Sequence, residues 1–330
     1  MVYFAICSFA AVASAFMIPQ THRRLHRFGR YLARDAERPF YFAEELDQQS
    51  AEEKDKSPIV LPQRATKLPW KFQGHDIYAQ VSLPERPSPT KLPAVLLVHG
   101  FGCSTYYWRQ TIAALTNAGY TVYAIDLLGQ GMSAKPYENV TYSINLWAKQ
   151  LDEFCRENLQ PDERVVFIGN SIGSIVSLIA ATGDFANETN GCYIKEHIAG
   201  IGMFNCGIGM NVRSLTRDPK WSPTQRYLLN AIFDVLESAV FGNVNFLRWI
   251  LDKVVTRELL RTTLIELYPT AENPEEIVDD ELVESIYLPA KEPGSPEVLS
   301  QILVNDAGEY KDVGWIYLMR IISYSCLNIS

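Results

Sequence analysis

An α/β fold built on a mostly parallel sheet is what the sequence predicts, and three observations carry that expectation. Short apolar runs recur at 94–98, 121–125, 165–168 and 198–204. Helix-length, partly amphipathic stretches separate them at 108–118, 142–159 and 173–182. The runs are apolar at nearly every position rather than alternating. Strands joined by crossover helices pair in parallel with helices on both faces of the sheet, and a strand buried on both sides needs apolar residues throughout.

Taken in order, residues 1–15 are an apolar run ending in Ala13-Ser14-Ala15, too short to span a bilayer and signal peptide-like. Arg23, Arg24, Arg27, Arg30 and Arg34 follow, with no acidic residue before Asp35, a composition that fits a transit peptide. Residues 16–60 therefore read as transit peptide and linker, with 44–56 polar and without apolar period, and 62–69 continuing that character. Residues 70–82 alternate around Gln73-Gly74 and predict a hairpin. A proline-rich connector, 84–93, leads into the strands and helices of a core spanning 68–204. From 205 to 300 the rhythm changes: 224–237 and 246–255 are helical with no strand between them, as in a helical cap inserted over the edge of a sheet.

Composition bounds the function. A chain of 330 residues, 47% hydrophobic, buries a large core. Its net charge of −8 argues against a nucleic-acid partner, which needs a basic face. Cys7, Cys103, Cys155, Cys192, Cys206 and Cys326 lie far apart with no CxxC pair, so they read as free thiols and no metal site is expected. No cofactor is called for. The sequons at Asn139, Asn187 and Asn328 would matter only in a secreted protein.

Chemistry concentrates in three segments. Gly169-Asn-Ser-Ile-Gly173 is a G-x-S-x-G pattern placed after an apolar strand and before a helix. A sharp strand-to-helix turn there would lift Ser171 as a nucleophile, with the small residues at 169 and 173 letting the turn close. His99-Gly-Phe-Gly102 follows the strand at 94–98; such a loop donates a backbone N–H to a developing oxyanion, and glycine permits the approach. Phe101 and Ile172 are the expected donors. His99 could act as a base, but its place at a strand end favours support of the loop formed with Gly100 and Gly102. Asp126-Leu-Leu-Gly-Gln-Gly-Met-Ser133 is turn chemistry, with Asp126 expected to bond loop amides rather than to react.

In this order and spacing HGFGCSTYYW, AIDLLGQGMSAKP and VVFIGNSIGS resemble the α/β-hydrolases, and more closely their plant and cyanobacterial pheophytinase and chlorophyll dephytylase branch. The similarity runs from about Trp70 to Gly308 and includes the stretch 278–289, similar to that branch's lid. The resemblance implies an α/β-hydrolase fold, a serine nucleophile and hydrolysis of a small hydrophobic ester through an acyl-serine. A chlorophyll derivative would be the substrate, with peripheral association at the thylakoid membrane. Ser171 departs from epoxide hydrolases and haloalkane dehalogenases, which attack with Asp. The junction 12–19, VASAFMIP, resembles the ASAFAP motif of algal plastid targeting sequences, implying a plastid location; an ordinary secretory signal is the alternative.

One part of the pattern is missing. The fold's order is Ser, then acid, then His. The histidines are His22, His26, His75, His99 and His197, and only His197 follows Ser171. Residues 309–330 resemble neither of the family's last two strands, so the expectation is an aberrant or truncated C-terminus, a sheet lacking those strands, a triad acid and base absent from this chain, and a protein nearly inactive in this form. A non-catalytic binding protein, or another activity such as a lipase, C–C hydrolase or acyltransferase, stays open.

Overall fold

The computed structural model describes residues 65–86, 88, 91–186, 191–205, 221–268 and 273–304, all within the compact unit Leu61–Ser330. Residues 1–60, read as targeting segment and linker, the C-terminal 309–330, Cys7, Cys206, Cys326, Asn187 and Asn328 lie outside the described residues, as do the side chains of Phe233 and Leu236 in the predicted cap.

Among the described residues six strands form one mixed sheet: β1 (Ala65–Phe72), β2 (His75–Ser82), β3 (Ala94–Val98), β4 (Val122–Ile125), β5 (Val165–Asn170) and β6 (Ile198–Phe204), in the spatial order β1-β2-β4-β3-β5-β6. β3 through β6 run parallel, while β1 and β2 form an antiparallel hairpin that joins through β4. Gln73 (φ 51°) and Gly74 (φ 83°) make the hairpin's two-residue turn, the left-handed pair that matches strand twist. β1 begins at Ala65, inside the stretch read as linker. Its Pro69 is tolerated because β1 is an outer strand, where a missing N–H breaks no ladder.

β3 shows why its run is continuously apolar. Ala94, Leu96 and Val98 face a layer with Trp147, Leu151 and Phe154 of α2 (Ile144–Asn158) and Val176 and Ile179 of α3 (Ile172–Thr182). Val95 and Leu97 face the other layer, closed by Trp108 and by Ile112 of α1 (Arg109–Asn117). Each such fully buried side chain contributes about 1.5–3 kcal/mol. Local signals set the helix ends. Ser143 accepts the Leu146 N–H at 3.2 Å to start α2, and Gly183, at φ 74°, ends α3 with its N–H on Ile179 O. Four-residue α4 (Ile194–His197) leads directly into β6.

After β6 come only helices among the described residues: α5 (Pro223–Val235), a π-type turn at Leu236–Phe241, α6 (Val244–Trp249), a second at Ile250–Val254, α7 (Arg257–Glu266), α8 (Pro274–Ile277), α9 (Asp280–Lys291) and α10 (Ser295–Val304). This is the helical segment the sequence predicts. Polar ties hold it to the core, and Gln301 Nε2, donating to Tyr137 O (2.7 Å), is one of them. Arg109 donates to Asp279 Oδ2 (3.0 Å) and to Ile277 O (2.5 Å). Lys135, nearly buried, donates to Gly131 O (2.7 Å) and Ser133 O (3.2 Å) and pairs with Glu292. No described helix is long and apolar enough to cross a membrane.

Candidate functional site

Ser171 stands between the end of β5 and the first turn of α3 with φ 54° and ψ −119°, a conformation L-residues avoid. The two glycines make it possible. A Cβ on Gly169 would lie 2.4 Å from Gly173 O, and one on Gly173 would lie 2.4 Å from Val98 O and 2.5 Å from His99 O. The turn is pinned from both sides: Ser171 N–H donates to Phe204 O (2.9 Å), and Ser174 Oγ donates to Gly169 O (2.8 Å) and Phe204 O (3.0 Å). Asn170 Oδ1 accepts from Asn205 Nδ2 at 3.1 Å, tying the next strand's end to the same corner.

The loop after β3 lies against this corner. The Cβ direction of Gly100 points to Asn170 Nδ2 (3.1 Å) and Ser171 Cβ (3.3 Å), so a side chain there would press on the serine. Ile172 opens α3, and its N–H is among those a helix cannot satisfy internally. Phe101, half-buried, follows Gly100 in the loop, and Gly102, at φ 69°, turns the chain away. The structure thus brings Ser171, Ile172, Gly100 and Phe101 to one corner at the C-terminal ends of β3 and β5. A hydroxyl beside backbone donors is the arrangement that holds a carbonyl group and the negative charge that develops on it.

His99 and Asp126 organise the loops instead of facing Ser171. His99 is fully buried; because Nε2 accepts the Leu127 N–H (3.0 Å), Nδ1 carries the proton and donates to Gly100 O (2.7 Å). Burial lowers its pKa, opposed by the Asp126 charge and the Gly100 bond, and the ring is neutral. Asp126, fully buried, accepts Thr105 N–H on Oδ1 (2.6 Å) and Met132 N–H on Oδ2 (2.7 Å). Burial raises its pKa, and His99, these two amides and Lys135 oppose the rise. With His99 neutral, its 3.8 Å separation from Asp126 is packing rather than an ion pair.

The buried imidazole has a measurable consequence. Unfolded histidine titrates near 6.5 and native His99 below that, so as pH falls through 6.5 the unfolded chain takes up a proton that the native one refuses. Stability is full above that value and is expected to fall by about 1 kcal/mol between pH 7.5 and 5.5. Asp126 acts oppositely, since its native carboxyl protonates first. Urea unfolding at the two pH values, wild type against His99→Asn, isolates the imidazole; equal losses in both proteins would rule it out.

His197, the one histidine after Ser171, precedes β6 at the sheet's other end. Its Nδ1 lies 2.8 Å from Tyr193 O and its Nε2 3.2 Å from Pro161 O, and its ring stacks on Tyr193. The seven residues of β6 separate it from Ser171 by roughly 20 Å. Among the described residues no imidazole meets Ser171. No group of three or more His, Cys, Asp or Glu there could hold a metal ion. Cys103, Cys155 and Cys192 are free, and burial raises all three thiols.

Sequence reading overlooked two glutamines. Gln150 Oε1 accepts the Leu128 N–H (2.9 Å) while its Nε2 donates to Asp126 O (3.1 Å), and Gln130 Oε1 accepts the Gly102 N–H (2.9 Å). Gln130 sits inside the motif 126–133, but nothing in its spacing signals a partner 28 positions earlier.

Sheet, crossovers, serine corner and helical segment define the α/β-hydrolase fold. Residues 93–183 match the family described as alpha/beta hydrolase fold. The chain is similar to bifunctional epoxide hydrolase 2 of Sus scrofa, 30% identical over 142 residues covering 43% of this chain and 22% of that protein. It is also similar to putative methylesterase 15, chloroplastic, of Arabidopsis thaliana, 37% identical over 78 residues, 24% of this chain and 17% of that one. The matches thus span less than a quarter of these relatives' length. A probable hydrolytic enzyme from Pseudomonas aeruginosa superposes with a TM-score of 0.50 at 19% identity, over 76% of this chain and 68% of its own, a likeness of fold.

Proposed function

We propose that this protein is a serine hydrolase of a hydrophobic carboxylic ester, acting in the plastid. The observation that carries the reading is Ser171 held at positive φ between β5 and α3, with Gly100 of the preceding loop against it. In this reading Ser171 Oγ attacks the ester carbonyl, the Phe101 and Ile172 N–H groups receive the oxyanion, the alcohol leaves, and water releases the acid from the acyl-serine. Gly169, Gly173, Gly100 and Gly102 shape the turn and loop, with His99 and Asp126 holding them. The triad acid and base are assigned to no described residue.

A hydroxyl nucleophile favours ester cleavage over the epoxide chemistry named for the Sus scrofa relative, and agrees with the esterase named for the Arabidopsis one. The phytyl ester of a chlorophyll derivative is the proposed substrate, supported by sequence resemblance and by apolar side chains displayed on the cap. Phe246 and Trp249 stack there at 5.9 Å, both exposed, and Ile250 follows them half-buried. Peripheral contact with the thylakoid membrane is proposed on the same basis. The plastid location rests on the junction 12–19 and on relatives named chloroplastic.

Incubating the full-length protein with a fluorophosphonate probe and with pheophytin is the test. Wild type is expected to label at Ser171 and release phytol, with both signals reduced at least a hundredfold in Ser171→Ala. Release undiminished in the variant would end the reading. A second reading, a non-catalytic binding protein on this fold, is favoured by one observation: no described imidazole meets Ser171. An unlabelled wild type that still binds pheophytin would establish it.

A further inference from the structure

Gln130 lies in the loop after β4, only 5% exposed. Its side chain is the bond between that loop and Gly102, through the Gly102 N–H on Oε1. A backbone N–H can only donate, which fixes the carboxamide: oxygen toward Gly102, nitrogen on the other side. That nitrogen is buried and meets no acceptor among the described residues. Gln150, equally buried and one motif away, uses both ends of its carboxamide. A buried donor without a partner costs about 1–3 kcal/mol, so the contrast marks Gln130 Nε2 as a donor whose acceptor is none of the described residues.

Its location says which acceptor. Gly102 is one residue beyond Phe101, and a Cβ on Gly100 would lie 3.1 Å from Asn170 Nδ2 and 3.3 Å from Ser171 Cβ, so the segment Gln130 grips is the one beside the serine corner. We infer that Gln130 is a positioning and ligand-binding residue of this site: Oε1 fixes the loop carrying the Phe101 N–H, and Nε2 donates to an acceptor oxygen of the bound carbonyl compound. The inference rests on reading the Ser171 corner as the site, and it extends that reading to a residue that does no chemistry.

The test uses full-length protein and 2-tridecanone, a ketone with an ester's carbonyl and chain but no leaving group. Gln130→Glu keeps an oxygen for Gly102 and removes the donor; Gln130→Met removes both. The ketone Kd, read by tryptophan fluorescence, is expected to rise about tenfold in each variant. Hydrogen-exchange protection of the Gly102 amide is expected to survive in Gln130→Glu and to vanish in Gln130→Met. In wild type, which carries no folding risk, the Gln130 side-chain NH₂ resonance is expected to shift as ketone is added. A resonance that stays still while the ketone binds, a Kd within twofold of wild type in Gln130→Met, or no ketone binding at all would overturn the inference. Fluorophosphonate labelling reports separately on Ser171: its failure removes the nucleophile reading while the ketone data still decide Gln130.

Discussion

Gly173→Ala is expected to cost about 3 kcal/mol of unfolding free energy, among the largest losses available to a one-carbon change in this chain. The added methyl would sit 2.4 Å from Val98 O and 2.5 Å from His99 O. Neither oxygen belongs to a side chain that can swing away: both are backbone at the end of β3. Either α3 moves outward, carrying Ser171 away from the loop at Gly100, or β3 shifts and loses its pairing with β5. Urea unfolding measures the cost. Gly191→Ala is the control, because a Cβ there meets nothing within 4 Å, and it should change stability by less than about 0.5 kcal/mol. Similar midpoints for the two variants would show that the corner is looser than its geometry.

Asp126→Ala comes next, with an expected loss of about 3–4 kcal/mol, since the buried Thr105 amide and the part-buried Met132 amide lose their acceptor together. The carboxylate also fills the space that Gly131 leaves; a Cβ on that glycine would lie 2.2 Å from Asp126 Oδ2. Asp126→Asn is expected to lose roughly half as much, because its oxygen can serve one amide while its NH₂ confronts the other. Thermal unfolding should drop by roughly 6–16 °C for alanine, at about 2–4 °C per kcal/mol. An asparagine variant as stable as wild type would mean that Asp126 is held as the neutral acid.

The parallel strands were legible because each is buried on both faces, which leaves no polar position to interrupt the run. Leu96 and Leu97 face opposite layers and are equally enclosed. The serine turn was legible because its geometry excludes side chains at 169 and 173. Only the first part of β1, 65–69, was hidden, since its end at 70–72 belongs to the predicted hairpin: those residues are exposed or partly buried with no regular alternation, and Pro69 argues locally against a strand. Only pairing with β2 makes it one. The glutamines were hidden for a related reason. A carboxamide bonding an amide 28 residues away leaves no periodicity in the chain, and its partner is a backbone group that every residue possesses.

The backbone at Ser171 carries a further meaning. A non-glycine residue at positive φ costs roughly 1–2 kcal/mol, and here the bonds to Phe204 O and the packing of Gly173 on β3 offset that cost. Relaxed into an ordinary helix start, the hydroxyl would sample several directions and a ligand would have to select one. Held as it is, the Cα–Cβ direction of Ser171 is set when the chain folds and only χ1 is left to choose, so much of the orientational entropy is lost once, at folding, rather than at every encounter.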